Sequence, residues 1–209
     1  MKKLLAILMV LALACGCAFA EETEEDALSA ATVQIREMPV IETQDNGILV
    51  VFFSPDVTTR AAAYAVAAGL NAELFEIIPE ELYTEEDLDY TNNFSRSEKE
   101  QRDKTARPAI SRLPEDLTKY DTIFLGYPIW NAMAPKILYT FVESVDLSGK
   151  TIIPFCTSGS SSIGSSAKDL QKLTDDSVIW KDGGRIKKEN STTDGIIQWV
   201  QEELLASEE

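Results

Sequence analysis

Apolar runs alternate along the chain with alanine-rich or amphipathic stretches. Uninterrupted apolar runs rich in β-formers are typical of strands that are buried on both faces of a parallel sheet. Five such strands are predicted, at residues 48–53, 73–79, 121–130, 151–159 and 177–186. Helices are predicted between and after them, at residues 58–70, 134–145, 161–174 and 191–206. This order predicts an α/β domain in three layers, α/β/α, with a doubly wound, five-stranded parallel sheet.

The carboxyl ends of the predicted strands are the candidate binding positions, because open doubly wound sheets bind ligands there, near the switch point of the strand order. Three segments follow such ends, at residues 54–59, 128–133 and 157–164. Residues 80–119 form a further, polar connection. A connection of that length inside a compact domain is usually functional or contains short helices.

Two of these segments carry residues suited to a flat ligand. Trp130 lies on a turn made rigid by Pro128, where its ring could stack on a planar ligand or pack beneath the loop as core. Residues 157–164 are mostly serine and glycine, so several backbone N–H groups could face one polar edge of a ligand. An ordinary flexible turn is the alternative for that segment, and the residues alone leave both choices open.

The first twenty residues have the order of a secretory signal peptide. Lys2 and Lys3 precede an apolar stretch too short to span a membrane comfortably, and Ala20 completes a small-x-small cleavage pattern. We therefore expect residues 1–20 to be removed and the protein to be exported from a bacterial cell.

Lipid attachment at Cys15 or Cys17 is the alternative, and membrane association is expected only in that case. Alanine stands three residues before each cysteine, where lipoprotein signals usually carry Leu, Ile or Val, so simple secretion is favoured. Residues 21–46 are acidic and poor in large apolar residues, which predicts a flexible tether. The folded domain is expected to cover residues 47–209.

Composition narrows the chemistry further. The 209 residues carry a net charge of −16, which argues against binding to nucleic acid or to anionic membrane surfaces. The chain contains no histidine, so Ser-His and Cys-His nucleophile systems are excluded and a metal site of the usual kinds is not expected. Cys156 would be the one cysteine left after cleavage, and we expect a buried structural thiol there rather than a redox nucleophile.

Seven stretches of the chain carry a more specific pattern. They lie at residues 87–91, 95–96, 100–110, 120–130, 134–135, 139–141 and 149–164. In these stretches the chain, from about residue 47 to 206, resembles the bacterial flavodoxin-like family. The resemblance implies a flavodoxin-like fold and non-covalent binding of FMN, with the flavin supplying the redox chemistry and the protein positioning and tuning it.

The resemblance also implies which residues contact the flavin. The phosphate would be held by Ser54, Thr58 and Thr59. The isoalloxazine ring would contact Pro128, Ile129 and Trp130. Asn131 adjoins them at a position where the family often has a second tryptophan, so less stacking area is available. The polar edge of the ring would face Thr157, Ser158, Gly159 and Gly164.

The segment at residues 54–59 departs from the family pattern, Ser/Thr-x-Thr-Gly-Asn-Thr. Asp56 places an anion where the pattern has a hydroxyl donor, and this carboxylate would repel a phosphate. Val57 replaces the glycine, and would be strained if the loop requires a positive φ there.

Three functions therefore stay open. The first is an exported flavoprotein that binds FMN and acts either as an electron carrier or as an NAD(P)H- or quinone-linked oxidoreductase. The residues do not specify its redox partner. The second is a flavodoxin-like binding domain that has lost FMN and its redox activity. The third is a protein that binds a flavin lacking the phosphate.

Overall fold

The computed structural model of the protein describes residues 46–186 and, nearer the carboxyl terminus, residues 195, 198, 199 and 202. Its elements follow in the order β1 (Ile48–Phe52), α1 (Val57–Leu70), β2 (Glu73–Glu76), α2 (Arg96–Arg102), β3 (Thr122–Pro128), α3 (Lys136–Ser144), β4 (Thr151–Thr157), α4 (Ser166–Gln171), β5 (Ile179–Trp180) and β6 (Gly184–Arg185). The predicted signal peptide, residues 21–45 of the predicted tether and most of the predicted helix at 191–206 lie outside the described residues.

The strands form one parallel sheet in the order β2-β1-β3-β4-β5, and β6 also pairs with β4. The chain passes from β1 outward to β2 and then returns to the other side of β1 for β3. The strand order therefore reverses between β1 and β3, which makes their carboxyl ends the switch point. The predicted doubly wound parallel sheet is confirmed.

Apolar side chains cover both faces of the sheet. On one face, Val50 and Phe52 of β1 and Phe124 of β3 pack in one core cluster with the alanines of α1. On the other face, alternating residues of the same strands pack in a second cluster with α3 and with Leu170 of α4. Because both faces of the sheet are buried, neither face of these strands is exposed to solvent, which explains their uninterrupted apolar sequences.

The fifth strand position is divided into two short pieces, β5 and β6, rather than running through residues 177–186. The carbonyls of Ile152 and Cys156 accept hydrogen bonds from Lys181 and Ile186, both at 2.9 Å. Pro154 lies between these two residues of β4 and has no N–H that could donate to the fifth strand. The chain bulges there at Gly183, where a β-carbon would lie 1.9 Å from the Pro154 carbonyl oxygen.

The other elements stay close to their predicted ranges, with shorter ends. β2 stops at Glu76, and α4 covers only residues 166–171 of the predicted helix at 161–174. The long connection at residues 80–119 contains the short helix α2. A short helix was one of the two expectations for this connection. No helix among the described residues is long and apolar enough to cross a membrane.

Gly183→Ala tests the bulge opposite Pro154. Gly183 has a φ of +64°, and the added methyl group would collide with the Pro154 carbonyl. We expect the free energy of unfolding to fall by roughly 2–4 kcal/mol in chemical denaturation, because left-handed strain and overpacking add. Gly159→Ala is the matched control, since its β-carbon would meet no atom within 4 Å. Equal stability of the two variants would contradict the proposed close approach.

Candidate functional site

The three candidate loops meet at the carboxyl edge of the sheet. β1, β3 and β4 are parallel neighbours, so residues 54–59, 128–133 and 157–164 leave the sheet side by side. The hydroxyls of Thr59 and Thr157 lie 2.7 Å apart, which joins the first loop to the third. The Ile129 N–H donates to the Thr157 carbonyl at 3.1 Å, which joins the second loop to the third.

The first loop closes on itself at the start of α1. Asp56 is the N-cap residue, and its Oδ1 accepts from the Thr58 N–H at 2.8 Å. The Ser54 hydroxyl donates to the Asp56 carbonyl at 2.5 Å and accepts from the Arg60 N–H at 3.0 Å. Side chains of the loop thus satisfy two of the N–H groups that a helix leaves free at its N-terminus.

Val57 adopts an unstrained conformation. It is the first residue of α1, and its side chain is 62% exposed. Among the described non-glycine residues, positive φ occurs at Asn71, Asn131 and Ala132 and not at Val57. The loop therefore does not require the backbone freedom of glycine at this position. Because Val57 has no positive φ, the strain that a positive φ would have caused is absent.

The second loop is a tight turn whose backbone is left-handed at two successive residues. The N–H groups of Trp130 and Met133 donate to each other's carbonyls, at 3.0 and 2.9 Å. Asn131 has a φ of 49° and Ala132 a φ of 61°, the pair of positive angles that a type I′ turn requires. Asparagine tolerates this region and alanine does not, so the turn is held in place by its surroundings.

Trp130 is both packed and accessible. Its ring meets the rings of Phe53 and Tyr83 edge-on, with centroids 5.7 and 5.5 Å away. It remains half-buried and lines a cavity of about 380 Å³ that also touches Pro55 and Asp56 of the first loop. The two roles foreseen for Trp130 are therefore not exclusive, because the core side fixes the ring and the other side faces the cavity.

Helix α2 braces the Trp130 turn from the long connection. The Gln101 amide donates to the carbonyls of Trp130 and Ala134, at 3.0 and 3.2 Å. The Asn131 amide donates to Glu98 Oε1 at 2.8 Å, and Arg102 donates to the other oxygen of Glu98 at 2.9 Å.

Glu98 and Gln101 are only 7% and 3% exposed. The sequence did not single out either residue. The Ser95-x-x-Glu98 spacing at the start of α2 is a helix-start pattern that could have located this helix, but not its contact with the turn.

Gln101 also carries an unsatisfied atom. Its Oε1 is buried and accepts no hydrogen bond in the described part of the protein, while its amide nitrogen is fully used by the two carbonyls. Because Gln101 lines the same cavity as Trp130, its side chain belongs to the candidate site. A buried acceptor without a donor is costly, so it marks a position where a donor from a ligand or a water would be favourable.

Tyr83 supports Trp130 from the side. Its hydroxyl donates to Glu100 at 2.5 Å, and the Arg96 guanidinium lies 4.3 Å from its ring centroid. Burial, and then the Glu100 carboxylate, raise the pKa of Tyr83 well above its ordinary value. The phenol therefore stays neutral, and Tyr83 acts as a packing surface.

The third loop is the most open of the three. Thr157 is buried, whereas Ser158 is half-buried and Gly159 and Gly164 are exposed. The Ser158 hydroxyl accepts from the N–H groups of Ser161 and Ser160, at 3.0 and 3.4 Å. Beyond this local turn, a β-carbon on Gly159 would meet nothing, so a ligand can approach the backbone closely there.

Comparison with known proteins decides the family. A family model described as Flavodoxin matches residues 47–203. The chain belongs to the flavodoxin family. No curated protein matches it.

Several solved structures resemble this chain. A protein from Bacteroides eggerthii DSM 20697, assigned as a flavoprotein, is 41% identical, with a TM-score of 0.69, over 75% of this chain and 97% of that one. A second, from Bacteroides uniformis ATCC 8492, is also 41% identical, with a TM-score of 0.70, over 74% and 97%. A flavoprotein in complex with FMN from Lactobacillus acidophilus NCFM is 18% identical, with a TM-score of 0.51, over 64% and 88%, and so shares the fold.

The cavity beside Trp130 is acidic. Asp56 and Glu98 are the charged residues among the described ones that line it, and no lysine or arginine does. The described part of the chain holds no group of three or more His, Cys, Asp or Glu side chains that could bind a metal ion. What the site offers is therefore an aromatic wall, backbone groups and negative charge.

Cys156 lies at the end of β4 below this site and is fully buried. Burial raises the pKa of its thiol to about 12, so the thiolate does not form at neutral pH. The structure places Cys156 where a structural thiol was expected.

Gln101→Met tests the brace between α2 and the turn. The variant keeps the side-chain volume but loses the hydrogen bonds to the Trp130 and Ala134 carbonyls. We expect the stability to fall by about 1–3 kcal/mol and amide hydrogen exchange to accelerate at Trp130 and Met133. Gln171→Met, at an exposed position in α4, is the control and should change neither quantity. Unaltered exchange in Gln101→Met would show that the turn does not depend on α2.

Proposed function

We propose that this chain is an exported flavoprotein of the flavodoxin family that binds a flavin without a covalent link and transfers electrons through it. The observation that carries the proposal is Trp130, half-buried on a turn that the core and α2 hold rigid, at the switch point of the sheet. Ligands of such sheets bind at this position. The flavoprotein assignment of the Bacteroides proteins and the FMN complex of the Lactobacillus protein support the choice of ligand.

The ring end of a flavin suits this arrangement. Trp130, with Pro128 and Ile129, would form one wall for the isoalloxazine ring, and the open backbone of residues 157–164 would face its polar edge. Contacts within the protein hold both surfaces in place, which lowers the entropic cost of binding. A bound flavin supplies electron or hydride transfer, and the protein's part is to hold and shield the ring.

The phosphate end of FMN fits the first loop less well. Of the three hydroxyls expected to hold the phosphate, that of Thr59 is buried against Thr157 and that of Ser54 is used within the loop. Thr58 is the exposed one of the three. The ring therefore fits the described residues better than the phosphate does.

A flavodoxin-like domain without any flavin is the second candidate. The observation in its favour is the acidic lining of the cavity by Asp56 and Glu98, which opposes an anionic cofactor. Such a protein would bind another small ligand or a partner at the same edge of the sheet.

Visible absorbance of the purified protein separates the two candidates. We expect flavin absorbance in the protein as isolated or after flavin is added and unbound ligand is removed. Trp130→Leu should weaken flavin binding roughly 2- to 10-fold, because an aromatic contact of about 0.5–1.5 kcal/mol is lost. Trp180→Leu is the control, since Trp180 lies near the amino end of β4, away from the loops. A protein that stays colourless and ignores added flavin would refute the proposed function.

Export is tested by the amino terminus of the mature protein. Expression of the full chain in a bacterial host should give an extracytoplasmic product that begins at Glu21, which peptide sequencing would show. A product that begins at a lipid-modified Cys15 or Cys17 would replace simple secretion by membrane anchoring. Retention of the intact chain in the cytoplasm would contradict export.

A further inference from the structure

The amino end of α1 is occupied by a carboxylate of the protein itself. A helix amino end at a switch point is a natural binding place for phosphate, because its N–H groups and its dipole favour an anion. Here the Asp56 carboxylate takes that place, accepting from the Thr58 N–H at 2.8 Å. We propose that this site selects a flavin without a terminal phosphate, such as riboflavin, over FMN, and that Asp56 determines the specificity.

Several other donors around the loop are already engaged. The Arg60 N–H donates to the Ser54 hydroxyl, and that hydroxyl donates to the Asp56 carbonyl. The Arg60 guanidinium is paired with Glu76 at 2.5 Å. An incoming phosphate would have to break these contacts to use these donors, and it would still face the Asp56 charge.

The charge of the cavity acts in the same direction. Asp56 and Glu98 line it without a lysine or arginine among its described lining residues. Arg102 does reach the Glu98 carboxylate, but its side chain is 52% exposed and points its donors at Glu98 and Asn93. A dianionic phosphate would therefore enter a negative environment, whereas a neutral flavin would not.

A second observation points to a ligand that donates hydrogen bonds. Gln101 Oε1 is a buried acceptor without a partner, on a side chain that lines the cavity. Phosphate oxygens are acceptors and leave such an atom unsatisfied. Either flavin carries ring N–H and ribityl hydroxyl donors, and riboflavin has a further hydroxyl donor where FMN has the phosphate. This inference rests on the proposed flavin binding and adds which flavin is bound.

The test is a pair of titrations of the full chain, freed of flavin, with riboflavin and with FMN. We expect riboflavin to bind at least about 10-fold more tightly than FMN at low salt. Added salt should narrow this gap by strengthening FMN binding, because salt screens the repulsion between the phosphate and Asp56.

Two variants assign the selectivity to Asp56. Asp56→Ser keeps a helix-capping side chain but removes the charge, and it should raise the FMN-to-riboflavin affinity ratio about 10-fold. The triple change Asp56→Thr, Val57→Gly and Thr58→Asn should raise FMN affinity at least as much. Asp116→Asn is the matched control, because Asp116 also accepts from an N–H two residues onward but lies before β3, at the other end of the sheet. It should leave the ratio unchanged.

The outcomes distinguish failure of the selectivity from failure of flavin binding. FMN binding tighter than riboflavin in the unaltered protein, or an unchanged ratio in a folded Asp56→Ser variant, would overturn the selectivity and leave flavin binding intact. Failure of both flavins to bind would overturn the proposed function, and the selectivity with it. Thermal unfolding of each variant confirms that it is folded before its titration is interpreted.

Discussion

The site depends on the parallel pairing of β3 with β1 on one side and β4 on the other. This register sets Phe52 opposite Gly126, and Gly126 opposite Phe155, so the three strands end nearly level. The loops that follow them then meet at one edge, tied by the Thr59–Thr157 and Ile129–Thr157 hydrogen bonds. A slip of one residue would turn every buried side chain to the opposite face and separate these loops.

The long connection between β2 and β3 provides the second constraint. Its helix α2 reaches across to the Trp130 turn, and Gln101 and Glu98 bind the turn through its carbonyl and amide groups. The left-handed backbone at Asn131 and Ala132 is held by these contacts and by the aromatic packing of Trp130. The result is an aromatic wall at the cavity, with the locally hydrogen-bonded serine loop beside it at the same edge of the sheet. A preformed wall of this kind favours recognition of a flat ring over recognition of a charged tail.

Sequence patterns located the sheet, its order of elements and the three loops, because apolar runs and helix-forming stretches are local properties. They predicted the fifth strand as one continuous strand. Its division into β5 and β6 opposite Pro154 depends on which groups of β4 face that strand, and this is not a local property of residues 177–186. They did not find Glu98 or Gln101, because each contacts a turn about 30 residues further along the chain. The family pattern identified Asp56 as an anion at a position that normally carries a hydroxyl donor. Its role as the N-cap of α1 follows only from the hydrogen bonds of the loop.

The proposed selectivity requires that the protein recognise the flavin by its ring while its own carboxylate occupies the amino end of α1. Incubation of the purified protein with an equimolar mixture of riboflavin and FMN, followed by removal of unbound ligand and mass spectrometry of the flavin released on denaturation, tests it most directly. Riboflavin should be the flavin recovered. Recovery of mainly FMN would contradict it.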